Sequence, residues 1–267
     1  MRKIYLVVFL SCLFFAQNSL ADFQTVTTYS NLEGRAFGNQ TNKHILNSFS
    51  EYPLSKKTAI GEISQISHTK STYNGGTSAY ALDSLELFHR YKFYSAKYVG
   101  IVVHNSYKFG GIYNENKNLA LMPNQPDYEL RLLFAHNMPD RLVNTVVNNE
   151  TPYFARAEIA YRRRFSNPFD EYRFTLWAGL RINNNFSFLL QDNITWNVNA
   201  KATELDNSRT NLANFQYSKN ANHLSTFSLL YHCDHNTALQ LGYLRRLSGN
   251  APFYNYDGIL VALWKTF

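Results

Sequence analysis

Residues 153–182 read YFARAEIAYRRRFSNPFDEYRFTLWAGLRI, and the period of this stretch decides the fold. In its second half Tyr172, Phe174, Leu176, Ala178, Leu180 and Ile182 alternate with Glu171, Arg173, Thr175, Trp177, Gly179 and Arg181. A strand sends alternate side chains to opposite faces, whereas a helix would scatter these apolar residues around its circumference. The first half repeats the pattern. Tyr153, Ala155, Ala157, Ile159 and Tyr161 share one face, and Phe154, Arg156, Glu158, Ala160, Arg162 and Arg164 share the other. Folding the two strands about Asn167-Pro168 is expected to set Arg164 opposite Glu171 and Arg162 opposite Arg173. Adjacent guanidinium groups repel unless a carboxylate or water intervenes. Glu158 and Glu171 are the candidate partners.

The same alternation extends along the chain. Leu85, Leu87, Tyr91 and Phe93 oppose Glu86, Arg90 and Lys92, with His89 falling on the apolar side. Tyr128, Leu130, Leu132 and Phe134 oppose Glu129 and Arg131. Twelve strands are expected, near 23–30, 43–52, 58–67, 79–93, 97–109, 127–137, 151–165, 171–182, 186–197, 222–233, 237–247 and 257–267. The connections 53–57, 95–96, 183–185 and 234–236 are short. Those at 31–42, 68–78, 110–126, 198–221 and 248–256 are longer. Two connections fit less well, 138–150 being long for a turn and 166–170 short for a loop. Short periplasmic turns, longer external loops and an even strand count describe an antiparallel transmembrane β-barrel. The fold class is therefore all-β. Mean hydropathy of −0.34 argues against a helical membrane protein. It is compatible with strands whose two faces average out, and 16% aromatic residues suit girdles at two membrane interfaces.

One strand breaks the pattern. Phe186, Phe188 and Leu190 share parity with Asp192, which would put a carboxylate in lipid. A charge near mid-bilayer costs a barrel about 2–4 kcal/mol for Arg or Lys and less for Asp. A bulge near Leu190-Gln191 that turns Asp192 inward is expected. The last strand places Ile259, Val261, Leu263 and Phe267 on one parity. It resembles the aromatic-ended terminal strand read by the barrel-assembly machinery, so Phe267 is the expected assembly signal. Lys265 is the departure on that face and is expected to snorkel to the interface.

Residues 1–21 have the layout of a cleaved secretory signal: Arg2 and Lys3, an apolar run from Ile4 to Ala16, then Ser19 and Ala21 before the cut. The mature barrel is expected to be one domain, 22–267. The apolar run is short for a transmembrane helix. An uncleaved anchor, or a lipoprotein modified at Cys12, are the alternatives. Cleavage leaves Cys233 without an intramolecular partner. The net charge of +7 comes without a dense basic run, and with export it gives no case for nucleic acid. Outer-membrane lipid is the expected surrounding and the cell outer membrane the expected location.

Three features carry possible chemistry. His104 and Ser106 share a strand face, and Asn118 follows; the trio resembles the site of the outer-membrane phospholipase A family. A base within hydrogen-bond reach of a nucleophile is the physical need. The apolar positions Val99, Ile101 and Val103 turn the pair toward the lumen instead, where a polar lining is the simpler reading. His232-Cys233-Asp234-His235 holds four metal-ligating residue types, but at a short turn and on alternating faces, so no metal or other cofactor is expected. The third feature is the charged inner face: Glu86, Arg90, Glu129, Arg131, Arg156, Glu158, Arg162, Arg164, Glu171, Arg173 and Arg181. It reads as an anion-favouring constriction or a salt-bridged plug, since twelve strands fall between packed and water-filled barrels.

Residues 154–191, FARAEIAYRRRFSNPFDEYRFTLWAGLRINNNFSFLLQ, resemble the bacterial outer-membrane proteins labelled as a meta-pathway phenol-degradation family. YELRLLF (128–134), ALWKTF (262–267) and Glu51-Tyr52-Pro53-Leu54 resemble it too. The resemblance implies a channel for hydrophobic or aromatic compounds and supplies no catalytic residues. A narrow porin-like channel without enzymatic activity is the leading expectation. A lipid hydrolase, or a closed barrel acting through its external loops, are the alternatives.

Overall fold

Every long strand hydrogen-bonds to two others, and the sheet closes on itself. The computed structural model describes residues 23–36, 39–72, 77–96, 99–109, 112–113, 126–136, 153–165, 170–198, 221–234, 236–249 and 255–267. The expected signal segment, residues 1–21, lies outside the described residues.

The strands are β1 (Gln24–Ala36), β2 (Asn39–Pro53), β3 (Thr58–Ser71), β4 (Thr77–Ser95), β5 (Val99–Phe109), the two-residue β6 (Ile112–Tyr113), β7 (Asp127–His136), β8 (Tyr153–Arg164), β9 (Asp170–Arg181), β10 (Phe186–Val198), β11 (Ala221–His232), β12 (Thr237–Gly249) and β13 (Asn255–Thr266). All pairings are antiparallel. The order β3-β2-β1-β13-β12-β11-β10-β9-β8-β7-β5-β4 returns to β3 through a β3–β4 ladder, with β6 a short addition to β4. Twelve strands thus form a closed barrel, and closure removes the edges that lipid cannot satisfy. No helix among the described residues is long and apolar enough to cross a membrane; strands do so here.

Short turns cluster at one end. Leu54 and Ser55 donate to Thr58 O, Ile182 and Asn183 donate to Phe186 O, and Cys233 donates to Thr237 O. Phe23 and Phe267 meet at this end, where Phe267 N donates to Phe23 O at 2.8 Å and the rings stack. We call it the turn end, and the opposite one the loop end.

The outer surface of β5 and β7–β13 carries an apolar belt. Leu130, Leu132, Ile159, Leu180, Leu229, Leu241, Ile259 and Val261 are all exposed. Tyr107, Tyr128, Tyr161, Tyr172 and Trp196 ring its loop side, and Phe93, Tyr153, Phe188, Tyr231 and Phe267 ring its turn side. Exposed apolar residues in such a band, flanked by aromatic girdles, match a bilayer rather than water.

In the sector β1–β3 the belt is interrupted: Ile60 and Tyr29 are exposed and Leu46 and Ile66 half-buried, with polar positions between them. Inward positions there are fixed by contacts: Phe49 stacks on Phe88, and Glu51 pairs with Arg90. The alternate positions Ser48 and Ser50 therefore point out, beside Thr25 and Thr27 on β1 and Glu62 and Ser64 on β3. Further toward the loop end an outward ladder of rings crosses four strands, Tyr29, His44, His68 and Tyr80.

Several expectations are corrected. Residues 31–42 are not a long loop: β1 runs to Ala36 and β2 begins at Asn39. β3 likewise continues to Ser71 and β4 starts at Thr77. These strand ends escaped a search for apolar alternation because their outer faces are polar. The β8–β9 register sets Arg162 opposite Glu171 and Ala160 opposite Arg173, two residues away from the expected pairing. That register replaces a repulsive arginine pair with an attractive one. No bulge forms at Leu190-Gln191, because β10 pairs without interruption with β9 and β11. Asp192 stays on the outer face, where Ser225 Oγ donates to it and His223 Nε2 lies 3.1 Å from Oδ1. Local hydrogen bonding replaces the expected change of direction. On β4 the bulge falls at Phe93, leaving Tyr94 rather than Phe93 in register with Ile101.

Candidate functional site

The chemistry of the inner face follows from which strands bring charges to one level. Glu129 on β7 is 1% exposed and accepts from three arginines. Arg131 Nε donates to Oε1 at 2.9 Å, Arg162 Nε to Oε2 at 2.8 Å, and Arg173 Nη1 to Oε2 at 3.4 Å. Arg131 also binds Glu158, which pairs with Arg156. Arg162 lies 3.6 Å from both Glu86 and Asp127. Glu171 binds Arg164 and, at 3.2 Å, Arg173. A separate group centres on Arg90, which holds Glu51 at 2.5 Å and donates from Nε to His104 Nδ1 at 2.9 Å. Together the two groups reach from β2 to β9. Charges this far from water persist only when paired and hydrogen-bonded, and each member here has opposite charge within reach.

Local sequence makes room for this network. Gly61 on β3 lies between Glu51 on β2 and Phe88 on β4. A Cβ there would stand 2.2 Å from Ser50 O and 2.4 Å from the Phe88 ring. Glycine thus lets Phe88 lie over the strand, stacked between Phe49 and His104 with the Arg90 guanidinium 4.8 Å from its centroid. On β4 the pairing jumps from Ser84 to Leu82, leaving Asp83 as the extra residue of a bulge. Its carboxylate turns inward and accepts from Lys43, Gln65 and Ser67 at 2.8–3.1 Å.

The opposite wall differs in kind. Ala238, Ala262 and Trp264 form an apolar cluster with Val26, Leu260 and, from β9, Trp177. Trp264 Nε1 donates to Gln240, which donates to Ser228. Arg156 lies 5.6 Å from the Trp177 ring and joins the two walls.

The guanidinium groups shield the carboxylates. Side chains of Arg131 and Arg173 are 21% and 30% exposed, while those of Glu129, Glu158 and Glu171 are 1%, 2% and 7%. The inner face thus offers mainly cationic groups to water.

By strand parity the eleven residues of the charged face lie at inward positions; nine join the Glu129 network and Arg90 the separate group with Glu51 and His104. Arg181 sits at the turn end and donates to Asn183 O. Sequence reasoning missed Glu51 and Asp127, which lie at strand ends, and Asp83, which a bulge displaces. Glu51 shares parity with Phe49, the one signal that would have found it. His104 and Ser106 point inward and are buried. His104 accepts from Arg90, while its Nε2 and Ser106 Oγ have no partner, so the two are not bonded to each other. Asn118 lies outside the described residues, as does His235. His232 Nε2 sits 2.9 Å from Ser187 Oγ and Cys233 is exposed. No group of three or more metal-ligating side chains occurs among the described residues.

Among solved structures, one of an outer membrane channel from Pseudomonas putida F1 superposes with a TM-score of 0.61 at 13% identity, covering 94% of this chain and 97% of that one. The chain has the fold of the outer-membrane β-barrels. The translocator domain of the autotransporter NalP from Neisseria meningitidis gives 0.52 at 7% identity, covering 100% and 96% of the two chains. The NanC porin gives 0.51 at 10% identity, covering 90% and 100%. No family model matches the barrel, and no curated protein does. Its apolar belt and this fold place it in the cell outer membrane.

Proposed function

We propose that the barrel is a narrow, non-enzymatic channel for small solutes, that the inner charge network is its constriction, and that the constriction favours anions. The shielding of buried carboxylates by accessible arginines carries this reading. A solute in the lumen meets guanidinium donors before it meets a carboxylate, and rings of Arg select anions. The solved outer membrane channel and the NanC porin support the same reading by shape. The turn end then faces the periplasm. Residues 1–21 serve as the cleaved export signal, and Phe267 as the mark read during assembly.

Planar bilayers test this. The purified chain gives discrete conductance steps and, under a salt gradient, a reversal potential on the anion side. Arg173→Ala moves that potential toward the cation side. Absence of steps from folded protein, or a potential indifferent to Arg162→Ala and Arg173→Ala, refutes the proposal.

A further inference from the structure

Thr25, Thr27, Ser48, Ser50, Glu62 and Ser64 occupy contiguous outward positions on β1–β3, in the half of the barrel nearer the turn end, between the apolar rows Tyr52–Ile60 and Tyr29–Leu46–Ile66. Ser48 and Ser50 are recessed among their neighbours, 9% and 4% exposed. On β9 the corresponding outer face is Tyr172, Phe174, Leu176, Ala178 and Leu180. Lipid gains little from hydroxyl groups, and a carboxylate facing it is costly. Among the described residues no ion pair or hydrogen bond reaches the Glu62 carboxylate. Small side chains let two surfaces approach closely.

The patch also has opposite charges at its two edges. Thr25 pairs with Lys265 on β13, and on its other side with Ser50, which pairs with Glu62. The row is therefore Lys265, Thr25, Ser50, Glu62. With strands about 4.8 Å apart, Lys265 and Glu62 each stand about 7 Å from the midline between β1 and β2. A two-fold axis along the membrane normal at that midline carries each edge onto the other. At a strand tilt of about 35–45° a row three strand spacings wide climbs about 8–10 Å, so the lysine and glutamate side chains must reach toward each other to close the gap. Such a surface is self-complementary, as a two-fold interface must be.

From this we infer that β1–β3 is the contact face of a homodimer in the membrane, with Lys265 of each copy paired to Glu62 of the other and the Ser/Thr patch packed at the axis. Pairing across the interface removes an uncompensated carboxylate from lipid, and the hydroxyl groups gain partners.

Crosslinking the full chain in native outer membranes tests it. In a Cys233→Ser background, Thr27→Cys, at an exposed position of the patch, treated with a short bis-maleimide yields a band of twice the chain's mass, while Ile159→Cys on the opposite wall does not. In detergent, sedimentation reports a dimer. Glu62→Lys lowers the dimer fraction at least tenfold, and adding Lys265→Glu restores it. Heat-modifiable migration verifies that each variant has folded, and the Thr27→Cys result stands without the charge variants. A monomer by sedimentation with no Thr27→Cys product overturns the inference. So does a Thr27→Cys product that contains a different protein, or equal crosslinking from Ile159→Cys.

Discussion

Glu129→Gln removes one charge from the centre of the inner network and leaves the shape unchanged. Three arginines lose their shared carboxylate. Arg131 keeps Glu158, Arg173 keeps Glu171, and both are partly open to water. Arg162 is sealed, and its remaining carboxylates, Glu86 and Asp127, stand 3.6 Å away. Removing one partner of a buried pair costs about 3–5 kcal/mol because the other charge is left uncompensated. Two of the three arginines can rehydrate, so the low end applies, about 3 kcal/mol. That is roughly a hundredfold in the folded-to-unfolded ratio. Urea titration of folding into vesicles reads it, since Trp177 and Trp264 line the interior and Trp196 the outer girdle. A loss below about 0.5 kcal/mol would show that water already reaches Arg162, and that the network is a solvated lining rather than a sealed constriction.

Gly61→Ala puts a methyl against a backbone oxygen and the Phe88 ring; the same titration should show a loss of about 1–3 kcal/mol, and no loss would remove the steric case. Asp192 and His223 should couple on the outer face: a double-mutant cycle of Asp192→Asn and His223→Gln is expected to give about 0.5–3 kcal/mol, and additivity would mean the contact contributes nothing. Arg131→Ala should widen the accessible lumen and raise single-channel conductance while weakening anion preference; unchanged conductance would place the constriction elsewhere.

Legibility in the sequence followed the environment on both faces of each strand. β8 and β9 were readable because lipid lies on one side and charge on the other, so Phe174 and Arg173 report opposite surroundings. β1 and β2 were truncated because Asn31, Glu33 and Asn42 stand on an outer wall that is itself polar, which erases the contrast. The members of the inner network were legible from parity, but their partners were not. Partners depend on register, and a two-residue shift exchanged Arg173 for Glu171 opposite Arg162. Asp192 was misread for a different reason. Parity assigned it to lipid correctly, and a rule against charge there prevailed over the possibility that Ser225 and His223 would satisfy it.

The ladder between β1 and β13 runs from Gln24↔Thr266 to Arg35↔Asn255. The other ladders join segments close in sequence, so each can form as a hairpin. This one joins the two ends of the described chain and must repay the largest loop-closure entropy. Until it forms, β1 and β13 expose unpaired backbone along two edges that hydrocarbon cannot accommodate. Insertion of this protein is therefore bound to the arrival of β13. A chain that lacks that strand is a curled sheet with two raw seams and no barrel.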